Sequence, residues 1–406
     1  MVSSSTSASD DFTGKALSAW HRQKMDEHSD IDPVMSKQAR KLAVGDVNDF
    51  PEDAVVTYMA KHAEQIFEPK RILTSGDWLK SYREPDQRFD YYKQGKGNIK
   101  WVSPSKNKIY LFIAENDSFT QEQIKQYKLY ASAFFTGADV EVIKAGEVIP
   151  GQNPSRPNKR CVPKNFLKTE IESREGWTGE MQYRTCGKTG ILGRLPVYRP
   201  QDSYAMLCIT MKDLYPSPNW NFCFGWASFT EGVGAFSFRR YDPEYDGIDD
   251  PDREKNLLMR GCAIMCHEIG HQFGLRHCIY YECLMNGIMS AEEQRQGGIR
   301  ILCPVCQKKL KQNLKFDSAE RFERLADVCE QLGFDEEAAV YRKLLKDTAE
   351  SGIVARPKAR DNLLVPAVAN RKRATSNDAR VNTAASRTDR PVGVRKVTPK
   401  KLPIWR

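Results

Sequence analysis

The pattern of apolar and polar residues predicts a β-α-β unit in the first half of the chain. Residues 108–114, K-I-Y-L-F-I-A, form a nearly continuous apolar run, which is typical of a strand buried on both faces. Residues 120–135 then place apolar side chains at helical spacing, and residues 138–143 form a second apolar run. This order indicates two neighbouring strands joined by a crossover helix.

Three further apolar segments follow. Residues 204–211 predict a third strand, and residues 220–226 and 233–241 are rich in aromatic side chains. Gly232 and Gly234 stand where these two aromatic runs meet. Because glycine inside a strand pattern marks tight turns and bulges, the two runs predict a hairpin or a bulged sheet edge.

Helices dominate the next part of the chain. Residues 257–274 are largely apolar and end at a glycine, which predicts a buried helix. Asp317 begins the sequence D-S-A-E, a capping-box pattern, and Gly333 followed by Asp335 predicts a second helix start, so we expect a helix hairpin ending near residue 347. A small sheet with separate helices predicts the α+β fold class.

The two ends of the chain carry weaker patterns. Residues 1–104 hold one helical stretch, near residues 33–67, and predict an accessory extension. Residues 351–406 contain 14 Lys and Arg against 3 Asp and Glu, a net of +11, so the preceding residues carry about −2 of the formal +9. Their low apolar content predicts a disordered basic tail. Residues 105–350 are then the expected main domain.

Composition also bears on the compartment. Residues 1–11 are polar and no stretch reaches the roughly 18 apolar residues of a membrane span, so we expect no membrane association and no secretion. Reducing compartments keep thiols reduced, which makes metal binding a better interpretation of the 11 cysteines than disulfides. We expect a cytoplasmic protein. The basic triplet Arg371-Lys372-Arg373 leaves a nuclear pool as an alternative.

The segment H-E-I-G-H places His267 and His271 one helical turn apart, on the same face of the predicted helix. Both imidazoles can then reach one Zn²⁺. Glu268 stands between them in sequence, where its carboxylate can contact a water that the metal polarises. The pattern predicts a catalytic metal site, although the short motif alone is weak evidence.

The residues that follow make the signal specific. Gly274 permits a sharp exit from the helix, and His277 can return as the third ligand. The alternative, three core histidines, would leave several buried ring nitrogens in need of partners. Three protein ligands leave a fourth position open, as in catalytic zinc sites. We therefore predict peptide hydrolysis by a zinc-activated water, with Glu268 as general base.

Four cysteines form a second set of candidate ligands. Cys278 and Cys283 follow the third histidine directly, and Cys303 and Cys306 form a C-P-V-C pair about twenty residues later. Two close pairs at this separation match a closed tetrahedral zinc site, which would be structural. Four free thiols or a redox pair remain the alternative, but the C-x-x-C lies outside any thioredoxin-like context.

The segment from His267 to Cys306, which contains both ligand sets, resembles the signature of the archaemetzincins. This family is a branch of the metzincin zinc peptidases. The resemblance implies a small mixed sheet, an active-site helix, a C-terminal helical lobe and a second zinc held by four cysteines. It also implies that Met285, with Met289 as the weaker candidate, forms a turn beneath the metal, and that an edge strand within residues 220–241 aligns the peptide substrate. Position 287 is glycine, where some metzincin branches carry tyrosine.

These observations predict a zinc-dependent peptidase with two Zn²⁺ per chain, a peptide or protein substrate and a monomeric state. One alternative is a zinc-binding scaffold with weak catalysis, and the presence of Glu268 argues against it. The other is a nucleic-acid-associated protein, suggested by the basic tail and the four-cysteine module. The tail lacks interleaved aromatic residues, so we do not expect nucleic acid as a partner.

Overall fold

The computed structural model describes residues 31–74, 76–97, 99–149, 161–228, 230–288 and 301–355. These ranges lie within the larger of two compact units of the chain, Met1–Pro357. The predictions for residues 1–30, for residues 356–406 and for Met289 fall outside the described residues. No helix in the described ranges is long and apolar enough to cross a membrane.

Two small sheets contain the strands of the described residues. In chain order the strands are β1 (Lys108–Ile113), β2 (Asp139–Lys144), β3 (Ser173–Glu175), β4 (Met181–Arg184), β5 (Ser203–Thr210), β6 (Asp213–Tyr215), β7 (Gly225–Ser228) and β8 (Val233–Ser237). The main sheet has the order β2-β1-β5-β8-β7, and the second has the order β3-β4-β6. Strand β7 lies at one edge of the main sheet and is antiparallel to β8, whereas the other neighbours in that sheet are parallel.

Helices of the described residues surround the main sheet. They are α1 (Lys37–Val44), α2 (Ala54–Lys61), α3 (Ala63–Ile66), α4 (Trp78–Ser81), α5 (Phe89–Lys93), α6 (Gln121–Phe134), α7 (Phe166–Glu170), α8 (Ile191–Arg194), α9 (Arg253–Gln272), α10 (Pro304–Leu314), α11 (Ser318–Gln331) and α12 (Asp335–Glu350). Helix α6 connects β1 to β2 and begins with the capping box of Thr120 and Gln123. Helix α9 lies against β5, β7 and β8.

Burial explains why the main sheet holds α9 firmly. Every residue of β5 is buried, and alternate side chains of the strand enter two apolar clusters on opposite faces of the sheet. On the helical face, the Phe273 ring at the end of α9 stacks on Tyr204 of β5, with ring centroids 4.5 Å apart. Such aromatic pairs add to the stabilisation from area burial, so the end of α9 has a defined position over the sheet.

Three helices of the N-terminal segment, the part of the chain before residue 105, pack on helix α10. Helix α10 lies against α1, α2 and α5. Its buried ammonium groups form ion pairs with carboxylates of the N-terminal segment, Lys308 with Asp49 at 2.6 Å and Lys311 with Asp53 at 2.6 Å. A buried charge is costly unless it is paired, so these pairs tie the segment to α10 in one register.

Most of the predicted elements are confirmed. The strands predicted at residues 108–114, 138–143 and 204–211 correspond to β1, β2 and β5. The predicted helix hairpin corresponds to α11 and α12, and the hairpin of aromatic runs to β7 and β8. The fold is a mixed α/β arrangement of small sheets and several helices.

The structure differs from the sequence predictions at two points. The aromatic run 220–226 is mostly loop, and strand β7 begins only at Gly225. Arg174 of β3 donates to the carbonyls of Pro218 and Asn221 at 3.0 and 3.1 Å, and Cys223 forms an isolated bridge with Leu214 of β6, so this run is tied to the second sheet as a loop. The second sheet was not predicted, because strands of three or four residues are too short to give a periodic pattern.

Candidate metal centre

Helix α9 carries His267 and His271 on one face. Their Nε2 atoms lie 3.0 Å apart, and both side chains are largely enclosed. Burial, together with the neighbouring His277, lowers the pKa of His267 to about 3. Burial also holds the pKa of His271 well below its usual range. Both rings are therefore neutral at physiological pH, which is the form that binds metal ions.

Gly274 ends the helix and brings His277 back to the same point. Its φ of +78° is a conformation that residues with a Cβ rarely adopt. The His277 ring lies 5.3 Å from the His267 ring and 5.0 Å from the His271 ring, measured between centroids. One nitrogen from each of the three rings lies within 4.8 Å of the others. The three predicted histidines are thus brought together.

The remaining ring nitrogens have partners that fix the rings. His267 Nδ1 lies 2.9 Å from the Leu284 carbonyl oxygen, and His271 Nδ1 lies 2.7 Å from the Leu275 carbonyl oxygen. Because a carbonyl can only accept, each Nδ1 carries the proton. The unprotonated Nε2 atoms then face the centre of the cluster, so the donor set fits a zinc ion.

Glu268 is buried directly beside the edge strand. A Cβ added at Gly225 of β7 would lie 2.4 Å from Glu268 Oε1, so a larger residue there would require the carboxylate or the strand to move. Glu268 Oε2 is buried without a hydrogen-bond partner in the described part of the chain. Burial raises the pKa of Glu268 to about 8. An orphaned carboxylate oxygen is rare in folded proteins and marks a place where a cation or water belongs.

Met285 lies against the helix between the two histidines. A Cβ added at Gly270 would lie 2.7 Å from Met285 Sδ, and the Met285 side chain is fully buried. The backbone N–H of Cys278 donates to the Met285 carbonyl at 2.7 Å. The turn that holds Met285 is therefore fixed to the segment just after the third histidine.

The four cysteines form a second cluster close to the first. Their Sγ atoms all lie within 4.8 Å of one another, and all four residues are buried. The Cys283 sulfur accepts hydrogen bonds from the backbone N–H groups of Cys303, at 3.3 Å, and Met285, at 3.5 Å. Backbone donors of this kind stabilise thiolates in metal sites. None of the 11 cysteines is in a disulfide.

Similarity to known proteins agrees with this geometry. Residues 202–312 match the model of Peptidase family M54. Archaemetzincin-2 of Rattus norvegicus is 29% identical over 326 residues, covering 74% of this chain and 85% of the relative. Archaemetzincin-2 of Pongo abelii is 30% identical over 320 residues, covering 72% and 81%. The chain belongs to the archaemetzincins, peptidase family M54. It is therefore a zinc metallopeptidase, and its substrates are peptides or proteins.

A crystal structure of archaemetzincin from Methanopyrus kandleri is also similar, at 22% identity and a TM-score of 0.34. The matched region covers 52% of this chain and 98% of the archaeal chain.

Residues of the N-terminal segment also reach the histidine cluster of this peptidase, and sequence reasoning missed them. Glu84 Oε1 lies 2.7 Å from His277 Nδ1, and the Trp78 ring packs edge-on against the His277 ring at 5.1 Å. Gln87 Nε2 donates to the Gly274 carbonyl at 2.8 Å. No motif or periodicity marks these positions, because each contact joins residues nearly two hundred positions apart.

Proposed function

We propose that this archaemetzincin hydrolyses peptide bonds at a zinc ion held by His267, His271 and His277, with Glu268 as general base. The observation that carries the proposal is the convergence of three imidazoles beside the buried carboxylate of Glu268, whose Oε2 has no hydrogen-bond partner among the described residues. A zinc ion bound there supplies a Lewis acid that polarises the scissile carbonyl and makes a water acidic enough to lose a proton near neutral pH.

Glu268 would move the proton. Its carboxylate accepts the proton of the attacking water and delivers it to the amine nitrogen that leaves. Burial alone favours the protonated carboxyl, since it raises the pKa of Glu268 to about 8. A divalent cation nearby favours the ionised form, which is the form that a general base requires.

Strand β7 would align the substrate in the manner of a metzincin edge strand. It pairs with β8 on one side only, and its residues are partly exposed. A peptide backbone can add to such an edge by main-chain hydrogen bonds. Because Gly225 of β7 touches Glu268, a peptide bound along β7 passes close to the general base. Met285 would support the site from beneath.

The second proposed zinc is structural. Four buried sulfurs from Cys278, Cys283, Cys303 and Cys306 leave no open position, and the site would join the loop after His277 to the start of α10. The absence of disulfides supports a reducing compartment such as the cytoplasm. The monomeric state, the nuclear alternative and the domain boundaries at 104/105 and 350/351 stay predictions.

Replacing Glu268 with glutamine tests the mechanism. The amide is close in size but cannot accept the proton, so Glu268→Gln should keep its zinc and lose about two to four orders of magnitude in kcat/KM. Glu254→Gln, in the first turn of the same helix, is the matched control and should behave as the wild type does. Equal cleavage of a fluorogenic peptide by Glu268→Gln and wild type would exclude the proposed base.

A further inference from the structure

The third histidine differs from the first two in what holds it. The partners of His267 and His271 are backbone carbonyls within residues 202–312, the range of the family match. The partner of His277 is a carboxylate, Glu84, from the N-terminal segment. We propose that Glu84 is a positioning residue for the metal centre, which rests on the proposed role of His277 as a zinc ligand.

The hydrogen bond from His277 to Glu84 fixes the tautomer of the His277 ring. The carboxylate accepts from His277 Nδ1 at 2.7 Å, which fixes the proton on Nδ1 and leaves Nε2 as the only nitrogen able to bind a metal. The Glu84 side chain is 6% exposed and that of His277 is 18% exposed, so water competes little for this bond. A carboxylate partner also makes the imidazole a stronger electron donor than a carbonyl partner does.

Trp78 holds the carboxylate in turn. Its Nε1–H donates to the same Glu84 oxygen at 2.6 Å, and its ring packs edge-on against His277 at 5.1 Å. Glu84 Oε1 therefore receives two N–H donors in a packed environment.

The segment that carries Glu84 is tied to the turn that carries His277. Gln87 donates to the Gly274 carbonyl at 2.8 Å and accepts from the Arg276 backbone N–H at 3.0 Å. The Tyr92 hydroxyl donates to the Phe273 carbonyl at 2.6 Å. Three backbone groups of the helix exit are thus satisfied by the N-terminal segment, so the position of Glu84 relative to His277 is set on both sides.

The test is the zinc affinity of the histidine site in the full chain, measured by competition with a chromophoric chelator. His267→Ala identifies which zinc belongs to that site. Glu84→Ala should lower the affinity about 10- to 100-fold, the usual effect of removing such a partner. Glu84→Gln, which keeps a neutral acceptor, should lower it less. Asp86→Asn is the matched control, because Asp86 lies on the same segment but bonds to the Tyr280 hydroxyl and should leave the affinity within about twofold.

Thermal unfolding of the metal-free variants separates positioning from simple stabilisation. A structural role alone would lower the unfolding temperature of metal-free Glu84→Ala and leave its zinc affinity unchanged, and this result would overturn the inference. Should Glu84→Ala not fold, an affinity of Glu84→Gln equal to that of wild type overturns it. If the His267→Ala variant keeps the same zinc content as the wild type, the proposed function itself is refuted. That outcome is distinct from the failure of the Glu84 proposal.

Discussion

Replacing Gly225 with alanine tests how closely strand β7 approaches the carboxylate of Glu268. The added Cβ would lie 2.4 Å from Glu268 Oε1 and 2.7 Å from its Cδ, whereas ordinary contacts begin at 3.4 Å. The Phe236 Cβ would lie 3.0 Å from the added methyl group, which is also closer than an ordinary contact. Either the carboxylate or the strand must therefore move by about 1 Å.

A displacement of this size has a calculable cost. Misplacing a catalytic group by about 1 Å lowers activity about 10²-fold, which is about 2.7 kcal/mol of barrier. If the strand moves instead, overpacking costs about 1–3 kcal/mol of stability and the edge presented to the substrate shifts. Both routes lower kcat/KM, while the three histidines keep their positions and the zinc content stays that of wild type.

The assay is kcat/KM on a fluorogenic peptide together with elemental analysis of zinc. Gly76→Ala is the matched control, because Gly76 does not have a positive φ and the nearest atom to an added Cβ is the Thr74 hydroxyl at 3.6 Å. If Gly225→Ala keeps more than about a third of wild-type activity at full zinc content, the reasoning about the Glu268 carboxylate is refuted.

Other predictions follow from buried groups and from the tail. Burial raises the pKa of Glu115 from 4.5 to about 7, so the folded state binds this proton more tightly than the unfolded chain and stability falls as pH rises between these values. The free energy of unfolding of Glu115→Gln, measured in urea, should therefore be about 3 kcal/mol higher than that of wild type at pH 8 and about equal to it near pH 4.5. The same difference at both pH values would contradict this. Cys303→Ser should lower folding yield and leave about one zinc per chain, and a second zinc at full yield would argue against the four-sulfur site. Deleting residues 351–406 should leave zinc content and hydrolysis of small peptides unchanged, and lost activity at constant zinc would show that the tail contributes to the site.

Local spacing explains why the clustering of the three histidines could be predicted from the sequence. The separation of four residues places His267 and His271 on one face of any helix, and a glycine at 274 gives the exit that returns His277. These relations hold whatever the rest of the chain does. The long apolar runs of β1 and β5 were predictable for the same reason, since burial on both faces requires them.

Tertiary contacts explain what could not be predicted. Glu84 and His277 are 193 residues apart, and nothing near Glu84 in sequence distinguishes it from a solvent-facing glutamate. The start of β7 was misplaced because the aromatic run before it resembles a strand, whereas Arg174 from another sheet holds that run as a loop. In both cases the deciding partner lies far away in sequence, where local patterns carry no information.

Trp78 and Gly287 constrain each other's evolution. A Cβ at position 287 would lie 2.5 Å from Trp78 Cδ1, so the indole already fills the volume that any larger residue there would need. Enlarging position 287 alone overpacks the contact, and shrinking Trp78 alone removes packing against Gly287, although the two changes together compensate. A lineage with this indole cannot acquire a tyrosine at position 287 by a single tolerated substitution. The two positions should therefore vary as a pair among descendants of this peptidase.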